Sequence, residues 1–196
     1  CAQTSAEEGL HAFIGPDDFQ AGYLTAVAVA EKLNGRGNVV ILRGPSGQGA
    51  TQLRNAGIAK ALGDYPGIRE IRSEAGDWSG GRAMQAMQQL LGRNFSIDGI
   101  IAQNDEMALG ALQELRLSGM APVPTASIDG ISAAVQAVQD GELLQTLRQD
   151  SAIQAQGALD LVMRNVIGPE YMPECAEWEN GLLGQWEEGT GNRLIV

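Results

Sequence analysis

The chain has 196 residues, enough for a domain with a buried core. Its 13 basic and 24 acidic residues give a formal charge of -11. The basic residues are scattered singly, which argues against nucleic acid as a partner. No apolar run approaches the roughly 18 to 20 residues that span a bilayer, so we expect a soluble protein.

Histidine and cysteine are scarce. His11 is the only histidine, and Cys1 and Cys175 are the only cysteines. Their spacing does not match a zinc or iron–sulfur site, so we predict no metal, no cofactor and no catalytic cysteine–histidine pair. A disulfide between the two cysteines stays open, because it depends on whether the compartment is oxidising.

Short apolar runs alternate with segments of helical period between residues 17 and 149. This alternation predicts an α/β fold, with a doubly wound parallel sheet and helices on both faces. The predicted elements are helix 20–33, strand 38–43, helix 51–62, strand 67–73, helix 82–91, strand 97–102, helix 106–118, strand 125–128, helix 132–139, strand 143–147 and helix 151–166. No element is predicted in the tail, residues 171–196.

Each predicted strand is followed by a side chain that suits a small polar ligand. In chain order these are Arg54, Trp78, Asn104, Asp129 and Gln149. Ligands of such sheets bind outside the carboxyl ends of the strands, where these residues would meet. Amide, carboxylate and guanidinium groups pair with hydroxyls, and an indole takes the apolar face of a sugar ring. The set predicts a sugar or polyol site without catalytic residues.

Each of these residues also has a purely structural interpretation. Asn104 and Asp129 can be helix N-caps, Trp78 can be an apolar cover, and Gln149 can be a solvated polar residue. Arg54 is placed in the first turn of its helix, where a cation opposes the helix dipole at a cost of about 0.3 to 1 kcal/mol. We therefore expect an anionic or polar group beside Arg54.

The glycine-rich loop 44–51, GPSGQGAT, is close to a phosphate-binding pattern. Ala50 stands where that pattern requires lysine, which disfavours a nucleotide site. Ser46 lacks the flanking glycine spacing of a nucleophile elbow. The loop therefore does not predict an enzyme.

Three stretches carry a family resemblance. They are 97–112 (IDGIIAQNDEMALGAL), 127–130 (SIDG) and 137–143 (AVQDGEL). Together they resemble the periplasmic sugar-binding proteins of the ribose and galactose type, which are the type I solute-binding proteins of ABC transporters. The resemblance implies two α/β lobes, joined by three crossover strands, that close on a ligand by a hinge.

The resemblance also implies roles for the five residues above. Arg54, Trp78, Asn104 and Asp129 match ligand-binding positions of the second lobe, and Gln149 matches a hinge residue that also touches ligand. Trp78 stands where ribose binders commonly have phenylalanine. Another sugar or a polyol is therefore as well supported as ribose.

A domain organisation follows from the same resemblance. Residues 1–16 are expected to be a remnant of the N-terminal lobe with the first hinge, and 17–149 the C-terminal ligand-binding lobe. Residues 150–178 are expected to supply a helix and strand of the N-terminal lobe, and 179–196 a return crossover and tail. Most of the N-terminal lobe is then absent from this sequence.

The resemblance implies a bacterial periplasmic protein that delivers its ligand to the membrane permease of an ABC transporter and catalyses no reaction. The alternative is a sugar-sensing effector domain of a membrane sensor or of a regulator of the lactose-repressor type. Such repressors favour a doubled aspartate where this chain has Asp129-Gly130, and a proline that the stretch 139–147 lacks. Both features favour the transport role.

Overall fold

The computed structural model describes residues 12–93, 95–168, 171 and 192–195. The chain divides into two compact units. We call Asp18–Arg148 the large unit, and Cys1–Asp17 with Gln149–Val196 the small unit. The assignment of the small unit to an N-terminal lobe, with boundaries at 17 and 149, stays a prediction.

The elements alternate between strand and helix through the large unit. In chain order they are β1 Ala12–Gly15, α1 Asp18–Lys32, β2 Gly37–Arg43, α2 Gly49–Asp64, β3 Ile68–Ala75, α3 Gly80–Leu91, β4 Gly99–Ala102, α4 Asp105–Leu117, β5 Thr125–Asp129, α5 Ser132–Gln139, β6 Gln145–Arg148, α6 Ser151–Ile167 and β7 Asn192–Ile195. Strands β1 and β7 and helix α6 belong to the small unit.

The large unit contains a five-stranded sheet in the order β3-β2-β4-β5-β6. Every neighbouring pair is parallel, which confirms the predicted fold class. Two predicted strands began two residues too early, at residues 97 and 143. Ile97 and Leu143 are apolar and buried ahead of β4 and β6, and buried connecting residues carry the same apolar signal as a strand.

The core lies on both faces of this sheet, as helices on both faces require. Along β2, Val40 and Leu42 join a cluster with α3, α4 and α5, whereas Val39 and Ile41 join a second cluster with α1 and α2. Successive side chains of a strand point to opposite faces, so a strand buried on both sides reads as one continuous apolar run. That run is the signal from which β2 was predicted.

Helices α1 and α2 approach each other closely because both carry a glycine at the contact. A Cβ on Gly57 would lie 2.0 Å from the carbonyl oxygen of Phe19, and a Cβ on Gly22 would lie 2.2 Å from that of Arg54. Real side chains do not tolerate such distances to backbone atoms. The two glycines therefore set the spacing that brings the first residue of α1 to the side chain of Arg54.

The small unit contains an element that periodicity did not predict. Strands β1 and β7 pair in parallel, with Ala12 opposite Asn192. A four-residue strand is too short to show a period, so the tail gave no signal. Cys1 and Cys175 lie outside the described residues, so the structure does not test a disulfide between them. No helix in the described part of the chain is both long and apolar enough to cross a membrane.

We expect Gly57→Ala to lower the free energy of unfolding by about 1–3 kcal/mol, because the new methyl group meets a backbone oxygen that cannot swing away. The matched control is Gly63→Ala in the same helix, where no atom lies within 4 Å of the added Cβ. It is expected to stabilise by about 0.5–1 kcal/mol, since alanine favours helix. Urea unfolding of both variants checks this, and equal effects would contradict close packing at Gly57.

Candidate functional site

The candidate site lies at the carboxyl edge of the sheet, next to the point where strand order reverses. The chain leaves β2 for β3 on one side, and β4 then pairs with the other side of β2. The segments that follow β2 and β4 diverge there to opposite faces of the sheet, and ligands of such sheets bind outside the strand ends at that point. Four of the five predicted residues lie in the large unit, on segments that leave this edge.

Arg54 is buried, with 5% of its surface exposed. Its Nε donates to Asp18 Oδ1 at 2.7 Å, and its Nη1 donates to the main-chain oxygen of Gln103. The expected anionic and polar partners are therefore present. The predicted position in the first turn was wrong: α2 begins at Gly49, so Arg54 is the sixth helical residue, beyond the turn where the dipole acts most strongly.

Trp78 is held in a strained turn. Asp77 and Trp78 both have positive φ, +50° and +62°, a backbone region that side chains other than glycine rarely adopt. The indole lies against Gly44, where a Cβ would be 2.1 Å from Cζ2. Its Nε1 donates to Gln48 Oε1 at 2.6 Å. The glycine at position 44 is therefore needed to seat an aromatic ring.

One face of the Trp78 ring also receives the guanidinium of Arg54, whose Cζ is 5.4 Å from the ring centroid. A cation over an indole face is attracted by the ring quadrupole. Trp78 is partly buried and also packs against the core cluster, so it covers apolar residues as its structural interpretation predicted. The cation and the core together fix the ring beside the crevice.

Asn104 is the N-cap of α4, as its structural interpretation required. Its Oδ1 accepts a hydrogen bond from the backbone N–H of Met107 at 3.0 Å. Its Nδ2 donates to the carbonyl oxygen of Trp78 at 3.4 Å. The cap leaves the second amide hydrogen without a hydrogen bond to a described residue, so capping does not prevent Asn104 from donating to a ligand.

Asp129 is not an N-cap, because α5 begins after Ile131 and has no side-chain cap. It ends β5 with φ +135°, a strained value for a residue other than glycine. Its Oδ1 lies 3.9 Å from Arg54 Nη1. Burial raises the pKa of Asp129 from 3.8 to about 6. The Arg54 guanidinium and a hydrogen bond from the backbone N–H of Asp105 oppose the rise, and the carboxylates of Asp105 and Asp18 add to it.

Sequence reasoning missed Gln103, which joins three parts of the site. It is fully buried; its Oε1 accepts from the backbone N–H of Gly44 at 3.0 Å, and its Nε2 donates to Asn55 Oδ1 at 2.7 Å. Its main-chain oxygen accepts from Arg54, so Gln103 ties the end of β4 to helix α2 and to the loop after β2. The only sequence signal was its position beside Asn104.

Asp105 was missed for the same reason. It is fully buried, and its carboxylate accepts from the hydroxyls of Ser127 and Thr146 and from the backbone N–H of Ile131. Three donors satisfy the hydrogen-bonding capacity of a buried carboxylate. Asp105 thereby fixes the backbone on both sides of Asp129.

Gln149 belongs to the small unit, so its part in the candidate site stays a prediction. Among the described residues no three histidine, cysteine, aspartate or glutamate side chains are grouped as metal ligands would be. The groups that the large unit presents are donors, an acceptor and an aromatic ring.

Residues 3–170 match the family described as periplasmic binding protein domain. The chain is 36% identical over 147 residues to the xylitol-binding protein of Mycolicibacterium smegmatis. That alignment covers 74% of this chain and 42% of the relative. The chain thus spans less than half of that relative's length.

Two solved structures are similar to the chain. One is a periplasmic solute-binding protein of an ABC transporter from Actinobacillus succinogenes with bound D-allose, with a TM-score of 0.78 and 32% identity over 84% of this chain and 59% of that one. The other is the fructose-binding periplasmic domain of a hybrid two-component system, with a TM-score of 0.77 and 28% identity over 86% and 57%.

Asp129→Asn tests the charge balance of the site. Because the pKa of Asp129 is raised on folding to about 6, its protonated form contributes stability below about pH 4 that is lost as the pH rises through 6. We expect the free energy of unfolding of Asp129→Asn to rise relative to the parent between about pH 4 and 6.5 and to level off above. Urea unfolding at a series of pH values measures this.

Asp140→Asn, at the exposed end of α5, controls for the loss of one negative charge. The opposite result would be a free energy of unfolding of Asp129→Asn that falls relative to the parent as the pH rises. It would show that ionised Asp129 stabilises the fold and would contradict the raised pKa.

Proposed function

The chain belongs to the periplasmic binding protein family, and from this membership we propose that its large unit is a lobe that binds a monosaccharide or polyol. The observation that carries the proposal is the convergence of Arg54, Trp78, Asn104 and Asp129 at one edge of the sheet. It supplies donors, an acceptor and an aromatic face within one crevice. Hydroxylated ligands need that combination.

The hydrogen-bonding capacity left by internal contacts suits vicinal hydroxyls. Arg54 has used Nε and Nη1 internally, and its Nη2 makes no hydrogen bond to a described residue. Asn104 retains one amide hydrogen, and the Asp129 carboxylate is partly exposed. A hydroxyl both donates and accepts, so neighbouring hydroxyls can pair with the aspartate and with the two donors.

Trp78 would supply the apolar contact. Arg54, Gly44 and the core cluster contact the indole, so a ligand would stack on the part of the ring that they leave exposed. The C–H groups of a sugar or an extended polyol are apolar enough for this contact. A phosphorylated nucleotide would instead need clustered cations and backbone N–H groups, and Ala50 stands at the lysine position of that loop pattern.

For the whole protein we propose a solute-binding role in sugar uptake. It would capture its ligand in the periplasm and deliver it to the permease of an ABC transporter, with no catalytic step and no nucleic acid. Gln149 would be the hinge residue that also touches ligand. The family and the solute-binding relatives support this role.

A second candidate is the sensing domain of a membrane receptor. It is favoured by the likeness to the fructose-binding periplasmic domain of a two-component system. The two candidates share the same site chemistry and differ in the protein partner. Co-purification with a permease would support transport, and co-purification with a histidine kinase would support sensing.

Binding of xylitol, D-allose and D-fructose tests the site. We expect Asp129→Ala and Asn104→Ser each to weaken binding of the preferred ligand by about 1–3 kcal/mol, because polar ligand groups lose their partners. Serine keeps the N-cap oxygen that Met107 needs and removes the amide donor. Chemical-shift titration of ¹⁵N-labelled chain measures Kd down to weak affinities, with the indole N–H of Trp78 as a local reporter.

Gln136→Ala, on the exposed face of α5, is the control and is expected to leave Kd unchanged. If both site variants bind as tightly as the parent, the site assignment is wrong. If none of the three compounds shifts any resonance of the large unit, sugar binding by this lobe is contradicted.

A further inference from the structure

A second cavity lies at the amino edge of the sheet, opposite the candidate site. It has a volume of about 450 Å³ and is lined by Arg36, Gly37, Asn38, Gly67, Arg69 and Asp98. These residues begin, or come just before, strands β2, β3 and β4. The seven residues of β2 separate the cavity from the candidate site by roughly 20 Å, at about 3.3 Å per residue. Cavities that bind small molecules have comparable volumes, about 300–1,000 Å³.

The strand register places three of the lining side chains in one row. Asn38 of β2 is paired with Arg69 of β3. On the other side of β2, Val39 is paired with Gly99, so Asp98 lies beside Asn38. Paired residues of neighbouring strands point to the same face of a sheet. The row therefore presents a cation, an amide and a carboxylate side by side.

Arg36 enters the same cavity from the turn after α1. Its stem lies directly over Gly67, where a Cβ would be 3.0 Å from Arg36 Cγ and 2.4 Å from the main-chain oxygen of Gly35. A side chain at position 67 would collide with that oxygen and displace the arginine stem. The glycine therefore lets the second cation of the cavity lie over the start of β3.

The two guanidinium groups of the cavity have no partner among the described residues. Arg36 and Arg69 take part in none of the ion pairs or side-chain hydrogen bonds that those residues form. Two like charges that line one cavity repel each other, and an anion held between them would offset this repulsion. The chain as a whole has a formal charge of -11 and repels anions, so a bound anion would have to be recognised locally.

The other side of the row suits a hydroxyl group. Asp98 Oδ2 accepts a hydrogen bond from the backbone N–H of Asn38 at 2.7 Å, which fixes the carboxylate. Asp98 Oδ1 and the side-chain amide of Asn38 make no hydrogen bond to a described residue. A bare anion would be repelled by Asp98, whereas a hydroxyl can donate to the carboxylate and accept from the amide. The lining therefore fits a ligand with an oxyanion at one end and hydroxyls at the other.

We propose that this cavity is a second ligand site, which binds a small oxyanion that carries hydroxyl groups, such as a polyol phosphate or a hydroxy acid. Arg36 and Arg69 would bind the phosphate or carboxylate through the forked hydrogen bonds that guanidinium groups make to such oxygens. Asn38 and Asp98 would bind the hydroxyls. The inference does not rest on the proposed function, because the cavity shares no residue with the candidate site.

Four compounds test the site by chemical-shift titration of the ¹⁵N-labelled chain at constant ionic strength. Glycerol 3-phosphate has both groups, D-glycerate has a carboxylate in place of the phosphate, inorganic phosphate lacks the hydroxyls, and glycerol lacks the charge. We expect glycerol 3-phosphate to shift the backbone N–H resonances of Gly37, Gly67 and Asp98. It is expected to bind at least about ten-fold more tightly than inorganic phosphate or glycerol. The tighter binder of glycerol 3-phosphate and D-glycerate shows which oxyanion the site prefers.

Arg36→Gln and Arg69→Gln test the two cations separately. Each variant is expected to weaken binding of glycerol 3-phosphate about ten-fold, because one charge-assisted pair is lost. Both side chains are exposed, so we expect both variants to fold as the parent does. Arg116→Gln is the matched control, since it removes one positive charge from an exposed side chain outside the cavity, and its Kd is expected to stay unchanged. Equal weakening in all three variants would show a general charge effect and overturn the proposal.

Asp98→Asn tests the recognition of hydroxyls. The asparagine oxygen can still accept from the backbone N–H of Asn38, and the repulsion of a bare anion is removed. We therefore expect this variant to bind inorganic phosphate more tightly than the parent does. Its preference for glycerol 3-phosphate over inorganic phosphate is expected to fall below about three-fold. A preference that stays at the parent's value would overturn the role of Asp98.

Failure of this inference is distinguishable from failure of the proposed function. If neither glycerol 3-phosphate nor D-glycerate shifts a resonance of the cavity, the second site is overturned. If inorganic phosphate binds the parent as tightly as glycerol 3-phosphate does, the preference for hydroxylated ligands is overturned. Titration of the same sample with xylitol reports on the candidate site through the indole N–H of Trp78, whatever the result at the amino edge.

Discussion

The buried ion pair between Asp18 and Arg54 is the contact on which the candidate site depends. A guanidinium removed from water needs a close anion and further acceptors, since an unpaired buried charge is very costly. Asp18 supplies the anion and the main-chain oxygen of Gln103 supplies another acceptor. Because Asp18 begins α1 and Arg54 lies in α2, this pair is possible only if the two helices nearly touch, which Gly22 and Gly57 allow.

The same pair determines what the rest of the site can do. Once Arg54 is held by Asp18 and Gln103, it offers only one edge to a ligand, and its guanidinium also lies 3.9 Å from the carboxylate of Asp129. Asp129 is left at a strained strand end with a raised pKa. Backbone strain and burial of a carboxyl group both lower stability, and such features are concentrated at functional sites.

Periodicity and the rule for parallel sheets are enough to predict most of the fold and much of the site. Apolar runs predict five parallel strands, and the ends of those strands indicate Arg54, Trp78, Asn104 and Asp129. The partners of these residues could not be found in the same way. Asp18 and Arg54 are 36 positions apart, and their contact depends on helix packing rather than on a local pattern. The sequence also offered Asn104 as either a cap or a ligand contact, whereas one amide can do both.

The four residues share a further property, which is that protein contacts fix them in the absence of a ligand. Asp18 holds Arg54, Gln48 holds the indole of Trp78, the N–H of Met107 holds Asn104, and Asp105 fixes the backbone beside Asp129. Ordering side chains on binding costs about 0.5–1.5 kcal/mol for each flexible one. A site whose side chains are already ordered avoids most of this cost, which favours the proposed binding of a small polyol by this lobe.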